Sequence, residues 1–343
     1  MQHQSETNIN STAPLKYIVD KTIYNKLPLS NNGIIDTSQS PQSTPSVDDG
    51  IPSDIEKLHR LHGTSLILDA STLLCLPPST YATACTIFHR MYHRISLKEY
   101  CVWSMAIACI LLAGKIEEEP RTVQSIILTF THIYRRRRLR IGDDMTKYSY
   151  DGATNCEAEL ASKLTNEEKE NIIRSVKPLS QMGPVYQEWK ETLFNMENVI
   201  LKNLGFTLNW IPDSHPHKFI LYIARVLDIE SKEVAQEAWD YCNDSCSLDL
   251  CCKYDPEVTA CAAILMATSK HNVELPLEPR PWWEVFIGPN RNGDLTTVCN
   301  AILAVGDDEE DMDVRRAKYA FVPSLLKEPS FNDPESYLWS VSD

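Results

Sequence analysis

The amino-acid sequence predicts an all-α protein made of two consecutive five-helix units. Helix start and stop signals follow one another from residue 53 to about residue 305, and almost no stretch alternates polar and apolar residues as a strand does. The order of helices begins again after Pro212. Hydrophobic residues make up 43% of the chain, which is enough to bury a core. The net charge of −14 disfavours direct DNA binding, because proteins that grip the DNA backbone usually carry a positive surface.

Capping residues and prolines place the helices of the first unit, residues 53–211. Ser53 with Glu56, and Ser96 with Glu99, have the spacing of capping boxes, which predicts that the first and third helices begin there. The second helix opens on a pair of prolines, which favour the first turn. The five helices are predicted at about 53–74, 78–94, 96–114, 121–136 and 184–204.

The third helix of this unit is apolar on every side. Residues 101–114 contain no charged side chain. A helix of this kind must be surrounded by other helices, so we expect it at the centre of the unit. Its alanines and glycine allow neighbouring helices to come close.

An insertion interrupts the first unit at residues 135–180. It opens on a run of arginines and continues as a polar stretch. Thr165 and Glu168 then form a capping box, which predicts a short helix that ends near Val176. An insertion of this length inside a domain is usually functional or disordered.

The second unit, residues 212–305, repeats the plan of the first. Asp255 followed by Pro256 is typical of a helix N-cap and first helical residue. The run at 262–267 has the same mixture of alanine and large apolar residues as 108–113 in the first unit. An internal repeat is therefore expected, each copy built around one small-residue apolar helix. Its helices are predicted at about 216–227, 232–248, 256–271, 281–287 and 294–304.

Two terminal segments fall outside this pattern. Residues 1–52 are rich in Ser, Thr, Asn, Gln and Pro, which predicts a flexible N-terminal arm. An apolar stretch at about 17–29 in this arm is a candidate for docking onto the folded body. Ser40 and Thr44 each precede a proline, and we interpret both pairs as ordinary loop residues rather than as phosphorylation sites. Residues 306–343 open on an acidic run and predict an extended acidic C-terminal tail.

Neither a secretory signal nor a membrane span is expected. The first residues are polar, and the longest apolar run, at 100–114, is shorter than the roughly 20 residues that cross a bilayer. Eleven cysteines without a signal indicate reduced thiols in the cytosol or nucleus. Four of them cluster without the spacing of a common zinc module, so we expect small apolar residues and no metal or cofactor. They are Cys242, Cys246, Cys251 and Cys252.

Glu197 lies within the apolar face of the fifth helix. At about 100° per residue that face also holds Trp189, Leu193, Met196, Ile200, Leu201 and Leu204. A carboxylate in such a position meets a cation or costs several kcal/mol. Lys115, at the end of the apolar third helix, is placed to be that cation. The pair either closes the core within the chain or contacts a partner, and both can hold because the pair keeps further donors and acceptors.

Several stretches of the chain resemble the cyclin family. Residues 106–118 are similar to the third helix of the first cyclin box, and residues 197–206 to its fifth. The resemblance covers about 44–305 and implies two tandem cyclin folds. Five shorter stretches are most similar to cyclin L, at 44–50, 87–90, 215–218, 239–245 and 280–283.

The resemblance implies a nuclear regulatory subunit that binds and activates a cyclin-dependent kinase. For cyclin L the kinase is of the PITSLRE type, which links the complex to RNA polymerase II transcription and pre-mRNA splicing. One lysine and one glutamate anchor the kinase in this family, and the motifs place them at Lys115 and Glu197. The resemblance gives these anchors the neighbours Ile116, Glu118 and Phe194.

The sequence bears on three other classes of function, namely an enzyme, a transcriptional cyclin of another type and a general transcription factor. The sequence holds no nucleotide-binding glycine loop, no nucleophile elbow and no kinase catalytic motif, which disfavours an enzyme. His89 and His93 have zinc-like spacing, but Arg90 stands where a catalytic glutamate is needed. Another transcriptional cyclin of the K, T or C type stays open. A cyclin-fold general transcription factor is a further alternative, although the first 70 residues offer no cysteine for a zinc ribbon.

The arginine run at the start of the insertion is a possible nuclear import signal. A short basic run is also compatible with RNA contact, or with a solvated helix end whose cations favour the helix dipole. The residues concerned are Arg135, Arg136, Arg137, Arg138 and Arg140.

Overall fold

The computed structural model is helical throughout the residues that it describes. These are residues 43–140, 165–175, 178–206, 208 and 211–306, and no strand occurs among them. Residues 1–42 of the predicted N-terminal arm, residues 141–164 of the insertion and residues 307–343 of the predicted tail lie outside the described residues. Residues 43–52 of the arm are described, and Ser46 and Ile51 among them are buried. The described part therefore confirms the all-α class predicted from the capping signals.

The helices follow the predicted order closely. A 3₁₀ turn at Pro212–Ser214 lies between the two predicted units. The α-helices are α1 (Pro45–Asp48), α2 (Ser53–Leu73), α3 (Pro78–Tyr92), α4 (Val102–Ile116), α5 (Val123–Arg140), α6 (Asn166–Ser175), α7 (Pro184–Asn203), α8 (His217–Val226), α9 (Lys232–Ser245), α10 (Leu250–Lys253), α11 (Pro256–Lys270), α12 (Glu284–Ile287) and α13 (Asn292–Gly306).

Helix α4 occupies the centre of the first cluster of buried residues. Every residue from Val102 to Gly114 is buried. Helices α2, α3, α5 and α7 pack against it. This is the arrangement expected for a helix that has no polar face. At its N-terminus the Sγ atom of Cys101 accepts a hydrogen bond from the Ser104 N–H at 3.4 Å.

Helix α11 has the same role in a second cluster of buried residues. Helices α8, α9, α12 and α13 pack against it, and its alanines at 260, 262, 263 and 267 are fully buried. The two clusters thus have the small-residue central helix that the sequence repeat predicts. The unit boundaries at residues 53, 211 and 305 stay a prediction.

Two buried histidines, one on α3 and one directly after it, bind the segment that links α9 to α10. His89 Nε2 lies 3.2 Å from the carbonyl oxygen of Cys246, and His93 Nε2 lies 3.0 Å from Asp249 Oδ2. Lys253 is 2.9 Å from the same carboxylate. Burial opposes ionisation of Asp249, but the hydrogen bond to His93 and the charge of Lys253 outweigh it, so the pKa of this carboxyl lies well below its usual range. The zinc-like histidine pair therefore serves to hold the segment between α9 and α10.

Two predicted capping boxes are wrong because Glu56 and Ser96 form other hydrogen bonds. The N-cap of α2 is Pro52, and Glu56 instead accepts hydrogen bonds from Arg60 Nε and Nη2 at 2.9 and 2.7 Å. The Thr44 hydroxyl donates to the same carboxylate. Near the third helix, the Ser96 hydroxyl accepts from the Lys98 N–H at 3.2 Å, and α4 begins only at residue 102.

The capping box in the insertion is confirmed. The Thr165 N–H donates to Glu168 Oε2 at 2.7 Å, and the Glu168 N–H donates to Thr165 Oγ1 at 3.3 Å. Both residues are exposed, so no tertiary partner competes for them. Asp255 is the predicted N-cap residue of α11, but its carboxylate binds Arg291 rather than the helix backbone.

The clustered cysteines are mostly interior residues. Cys242, Cys246 and Cys252 are buried, and burial raises the pKa of each thiol, to about 12 for Cys246. Within the described ranges no group of three or more His, Cys, Asp or Glu side chains is placed to hold a metal ion. Likewise, none of the described helices is long and apolar enough to span a bilayer.

We expect Gly63→Ala to destabilise the protein although alanine favours helices. A Cβ atom at residue 63 of α2 would lie 2.0 Å from Cζ of Phe88, whose ring is fully buried and cannot swing out. Overpacking costs about 1–3 kcal/mol, and the gain in helix propensity is at most about 1 kcal/mol. Gly293→Ala is the control, because its Cβ meets nothing within 4 Å. In urea unfolding, the free energy of unfolding should fall only for Gly63→Ala. Equal stability of the two variants would contradict the close α2–α3 contact.

Acidification should destabilise the fold because three histidines are buried in neutral form. Burial lowers the pKa of His59 and His217 to about 4, and burial with the nearby Arg60 lowers that of His89 to about 3. Their unfolded value is near 6.5, so the stabilisation is complete above about pH 6.5 and is lost as the pH falls below it.

The test is chemical unfolding at pH 7.5 and pH 5.5. Each fully neutral imidazole contributes a difference of about 1.4 kcal/mol between these conditions. His217→Gln should reduce the pH dependence by about that amount. Asp249 does not contribute to this difference, because its carboxylate is protonated, and its stabilising charge lost, only below pH 5.5. An unfolding free energy that is the same at both pH values would show that these imidazoles are not held neutral.

Candidate functional site

The C-terminal end of α4 meets the second half of α7 at an ion pair. Lys115, in the last turn of α4, donates from Nζ to Glu197 Oε1 on α7. The Glu197 side chain is only 12% exposed, whereas that of Lys115 is 48% exposed. The cation that Glu197 needs inside its apolar face is therefore supplied from within the chain.

The backbone after α4 turns sharply and sets the position of Lys115. The Glu119 N–H donates to the Gly114 carbonyl oxygen at 2.9 Å, and Glu118 between them has φ +59°, in the left-handed region. A Cβ at Gly114 would lie 3.0 Å from the Glu119 carbonyl oxygen, so glycine gives this turn its room. The turn ends α4 directly after Lys115 and Ile116.

The end of α7 is closed by a Schellman motif. The Phe206 N–H donates to the Leu201 carbonyl oxygen at 2.9 Å, and the Gly205 N–H donates to that of Lys202 at 3.2 Å. Gly205 has φ +66°, which glycine adopts at little cost. This motif orients the last turns of α7, which include Glu197.

Glu117, two residues after Lys115, is bound to the link between the two clusters. The Thr83 hydroxyl on α3 donates to Glu117 Oε1 at 2.5 Å and lies 2.7 Å from His215 Nε2. The His215 ring, 3.8 Å from Glu117 Oε1, lowers the pKa of the Glu117 carboxyl, against the opposing effect of its burial. The end of α4 is thus held to α3 and to the segment before α8.

Two of the cyclin L-like stretches contact each other beside this link. His217 Nε2 lies 3.1 Å from Asn243 Oδ1, and the His217 ring packs edge-on against Trp239 at 4.8 Å between centroids. The stretches at 215–218 and 239–245 are therefore in contact where α8 meets α9.

The other predicted anchor neighbours lie around the ion pair. Ile116 is partly buried against the first cluster, and Glu118 is exposed. Phe194 is 39% exposed and lies one turn before Glu197 on α7. The sequence reasoning missed Phe206, which is 61% exposed at the end of α7. The sequence signal for Phe206 is its position directly after the C-cap glycine, because an apolar residue there normally packs back on its own helix.

The arginine run belongs to a helix rather than to the segment after it. Helix α5 continues to Arg140, beyond the predicted end at residue 136. Arg136 Nη2 lies 3.0 Å from Glu170 Oε1 on α6, and both side chains are about two-fifths exposed. Its use as an import signal stays a prediction.

Comparison with known proteins gives the family of the chain. The sequence pattern described as "Cyclin, N-terminal domain" matches residues 35–165. Cyclin-L1-1 of Oryza sativa subsp. japonica is 34% identical over 251 residues, which are 73% of this chain and 49% of that protein. Cyclin-L2 of Mus musculus is 31% identical over 261 residues, 76% of this chain and 42% of that protein. The chain belongs to the cyclin family.

The relatives confirm the resemblance to L-type cyclins. This cyclin spans about half the length of the curated relatives that it matches. A chain in the crystal structure of the yeast RNA Pol II CTD kinase CTDK-1 complex is similar in fold. The TM-score is 0.50 at 16% identity, over 74% of this chain and 66% of that chain. At this identity the likeness concerns the fold alone, and it agrees with the all-α cyclin fold.

A double-mutant cycle at Lys115 and Glu197 should give a coupling free energy of about 0.5–1 kcal/mol. The pair is partly exposed through the lysine, and solvent screens such pairs. We expect both alanine variants and the double variant to keep their helicity in circular dichroism. A coupling of about 3 kcal/mol or more, with loss of helicity, would instead indicate a pair whose task is to close the core.

Proposed function

We propose that this cyclin is a non-catalytic subunit that binds and activates a cyclin-dependent kinase. The kinase would be bound by the ends of α4 and α7, with Lys115 and Glu197 as anchors and Ile116, Glu118 and Phe194 beside them. The observation that supports this most is the unequal exposure of the ion pair. Glu197 is nearly buried, while Lys115 is half exposed. An ammonium group has three donors, and the bond to Glu197 uses one, so Lys115 can also bind backbone carbonyls of a partner.

Activation follows from how such a surface acts on a kinase. An isolated kinase of this class holds the helix with its catalytic glutamate rotated outward, so the catalytic Lys–Glu pair is not formed. A cyclin that binds only the inward position shifts this equilibrium. A shift from mostly inactive to mostly active needs about 5 kcal/mol of differential binding. Such a bias requires a rigid surface, and the Glu117–Thr83–His215 contacts and the buried α4 supply the rigidity.

We further propose a nuclear role in RNA polymerase II transcription and pre-mRNA splicing, with a PITSLRE-type kinase as partner. Support comes from the names of the similar proteins, which are L-type cyclins, and from the α8–α9 contact that joins two L-like stretches. The arginines at the end of α5 are the candidate import signal. A cyclin of the K, T or C type would bind a different kinase, so the identity of the kinase decides between the subtypes.

The decisive variant exchanges the two charges, as Lys115→Glu with Glu197→Lys. The exchange keeps an ion pair inside the chain, so folding stability should return close to that of the unmodified protein. The donors that face a partner are lost from residue 115, so kinase association should fall at least tenfold. The tagged full chain is purified from its own cells, co-purifying kinases are identified by mass spectrometry, and the eluate is assayed for kinase activity.

A matched control exists in the second cluster. Lys270, in the last turn of α11, lies 2.6 Å from Glu237 of α9, so it too is a lysine at the end of a central helix paired with a glutamate of a neighbouring helix. Exchanging these two charges should leave kinase association unchanged. Full kinase association after the exchange at 115 and 197 would refute the anchor assignment. Recovery of general transcription machinery without a kinase would favour the scaffold alternative.

A further inference from the structure

A groove of about 560 Å³ separates α2 from α9. Its two walls come from helices of different buried clusters, and on each wall the lining residues recur every three or four positions, as on one face of a helix. The α2 wall is lined by Leu61, Thr64, Ser65, Leu68, Ser71 and Thr72, and the α9 wall by Asp240, Asn243 and Asp244 together with Ser247 just after the helix.

The α2 wall combines leucines with serine and threonine side chains, and the opposite wall carries two aspartates. Leu61 and Leu68 of α2, and Leu76 after it, are only partly buried, and the Tyr81 ring of α3 also lines the groove. Ser71 is 4% exposed, and its hydroxyl has no hydrogen-bond partner among the described residues. A buried hydroxyl left without a partner is costly, so an occupant with a polar backbone group would be stabilised here. The groove suits a segment with both basic and apolar side chains.

The chain leaves the described fold at this groove. Val305, one residue before the end of α13, lines it. The next residues, 307–311, are all acidic and would be repelled by the α9 wall. Beyond them the sequence changes character. Arg315, Arg316 and Lys318 are followed within a few residues by Tyr319, Phe321, Val322, Leu325 and Leu326.

We propose that residues 315–326 of the same chain occupy the groove between α2 and α9. Arg315 and Arg316 would lie against Asp240 and Asp244, and the aromatic side chains that follow would cover Leu61 and Leu68 on the α2 wall. This basic segment follows closely after an acidic run in a chain of net charge −14. The basic residues of the segment thus match the aspartates of the α9 wall, and its apolar residues match the leucines of the α2 wall.

The connecting segment is long enough for this contact. About ten residues join Val305 to Arg315, and an extended chain spans roughly 33–36 Å over that number. The wall from Leu61 to Thr72 is a helical stretch of about 17 Å. The segment can thus reach either end of the groove. A connection of about ten residues within one chain also gives an effective concentration on the order of millimolar, so even weak contacts would be populated.

Photo-crosslinking in the full chain tests the proposal. A photoreactive benzoyl-phenylalanine replaces Tyr319, and the same label at Tyr337 is the control. The label at 319 should crosslink to peptides within 61–81 or 240–247, and the label at 337 should not. A mixture of isotopically heavy and light chains shows whether the crosslink lies within one chain. Crosslinks between heavy and light chains, or groove crosslinks only from a label at Tyr17 in the N-terminal arm, would overturn the proposal.

Charge exchange tests the acidic wall. Asp240→Arg should lower the crosslink yield from residue 319 at least threefold, and adding Arg316→Asp should restore it. Asp240 is exposed, so this change should not affect folding. Glu233→Arg, at an exposed position of α9 outside the groove lining, is the matched control and should have no effect. A yield that is independent of the Asp240 charge, or one that the exchange fails to restore, contradicts the docking of the basic segment.

Discussion

The absence of a polar face on α4 is the constraint on which the rest of the first cluster depends. Because every residue from Val102 to Gly114 is buried, helices must cover it on all sides, and α2, α3, α5 and α7 do so. Its charged residues can emerge only at its C-terminal end. Lys115 is the first of them, and it appears where α7 presents a carboxylate from its apolar face. The position of the candidate kinase anchor is thus a consequence of how the core is built.

The second cluster is joined to the first by buried polar contacts as well as by apolar packing. His89 reaches the Cys246 carbonyl and His93 reaches Asp249, while His215 is shared by Thr83 and Glu117. Buried polar groups are directional and costly to leave without partners, so these contacts specify one relative placement of the joined segments. They also explain why His89, which sequence spacing associates with zinc, is held neutral by burial.

Local sequence signals predicted those elements whose side chains have no distant competitor. The exposed Thr165 and Glu168 form the expected capping box, and the helical arc placed Glu197 correctly in an apolar face. The box at Ser53 failed because Glu56 binds the Thr44 hydroxyl, twelve positions away, as well as Arg60 on its own helix. The box at Ser96 failed because the Glu99 N–H donates to the Ser96 carbonyl oxygen at 3.0 Å in a turn that precedes α4. Helix α10 and the groove depend on residues more than 150 positions apart, which no local pattern encodes.

Helix α3 connects the groove to the end of α4. All of its residues from Thr80 to Tyr92 are buried. Tyr81 lines the groove, and Thr83 binds Glu117 next to the anchor region. Residues two apart on a helix lie about 200° from each other, so these contacts are on nearly opposite sides of α3. Because packed interiors have few voids, a segment that presses on Tyr81 is resisted by the contacts that hold Glu117. Occupation of the groove and the geometry at Lys115 are therefore constrained by the same buried helix.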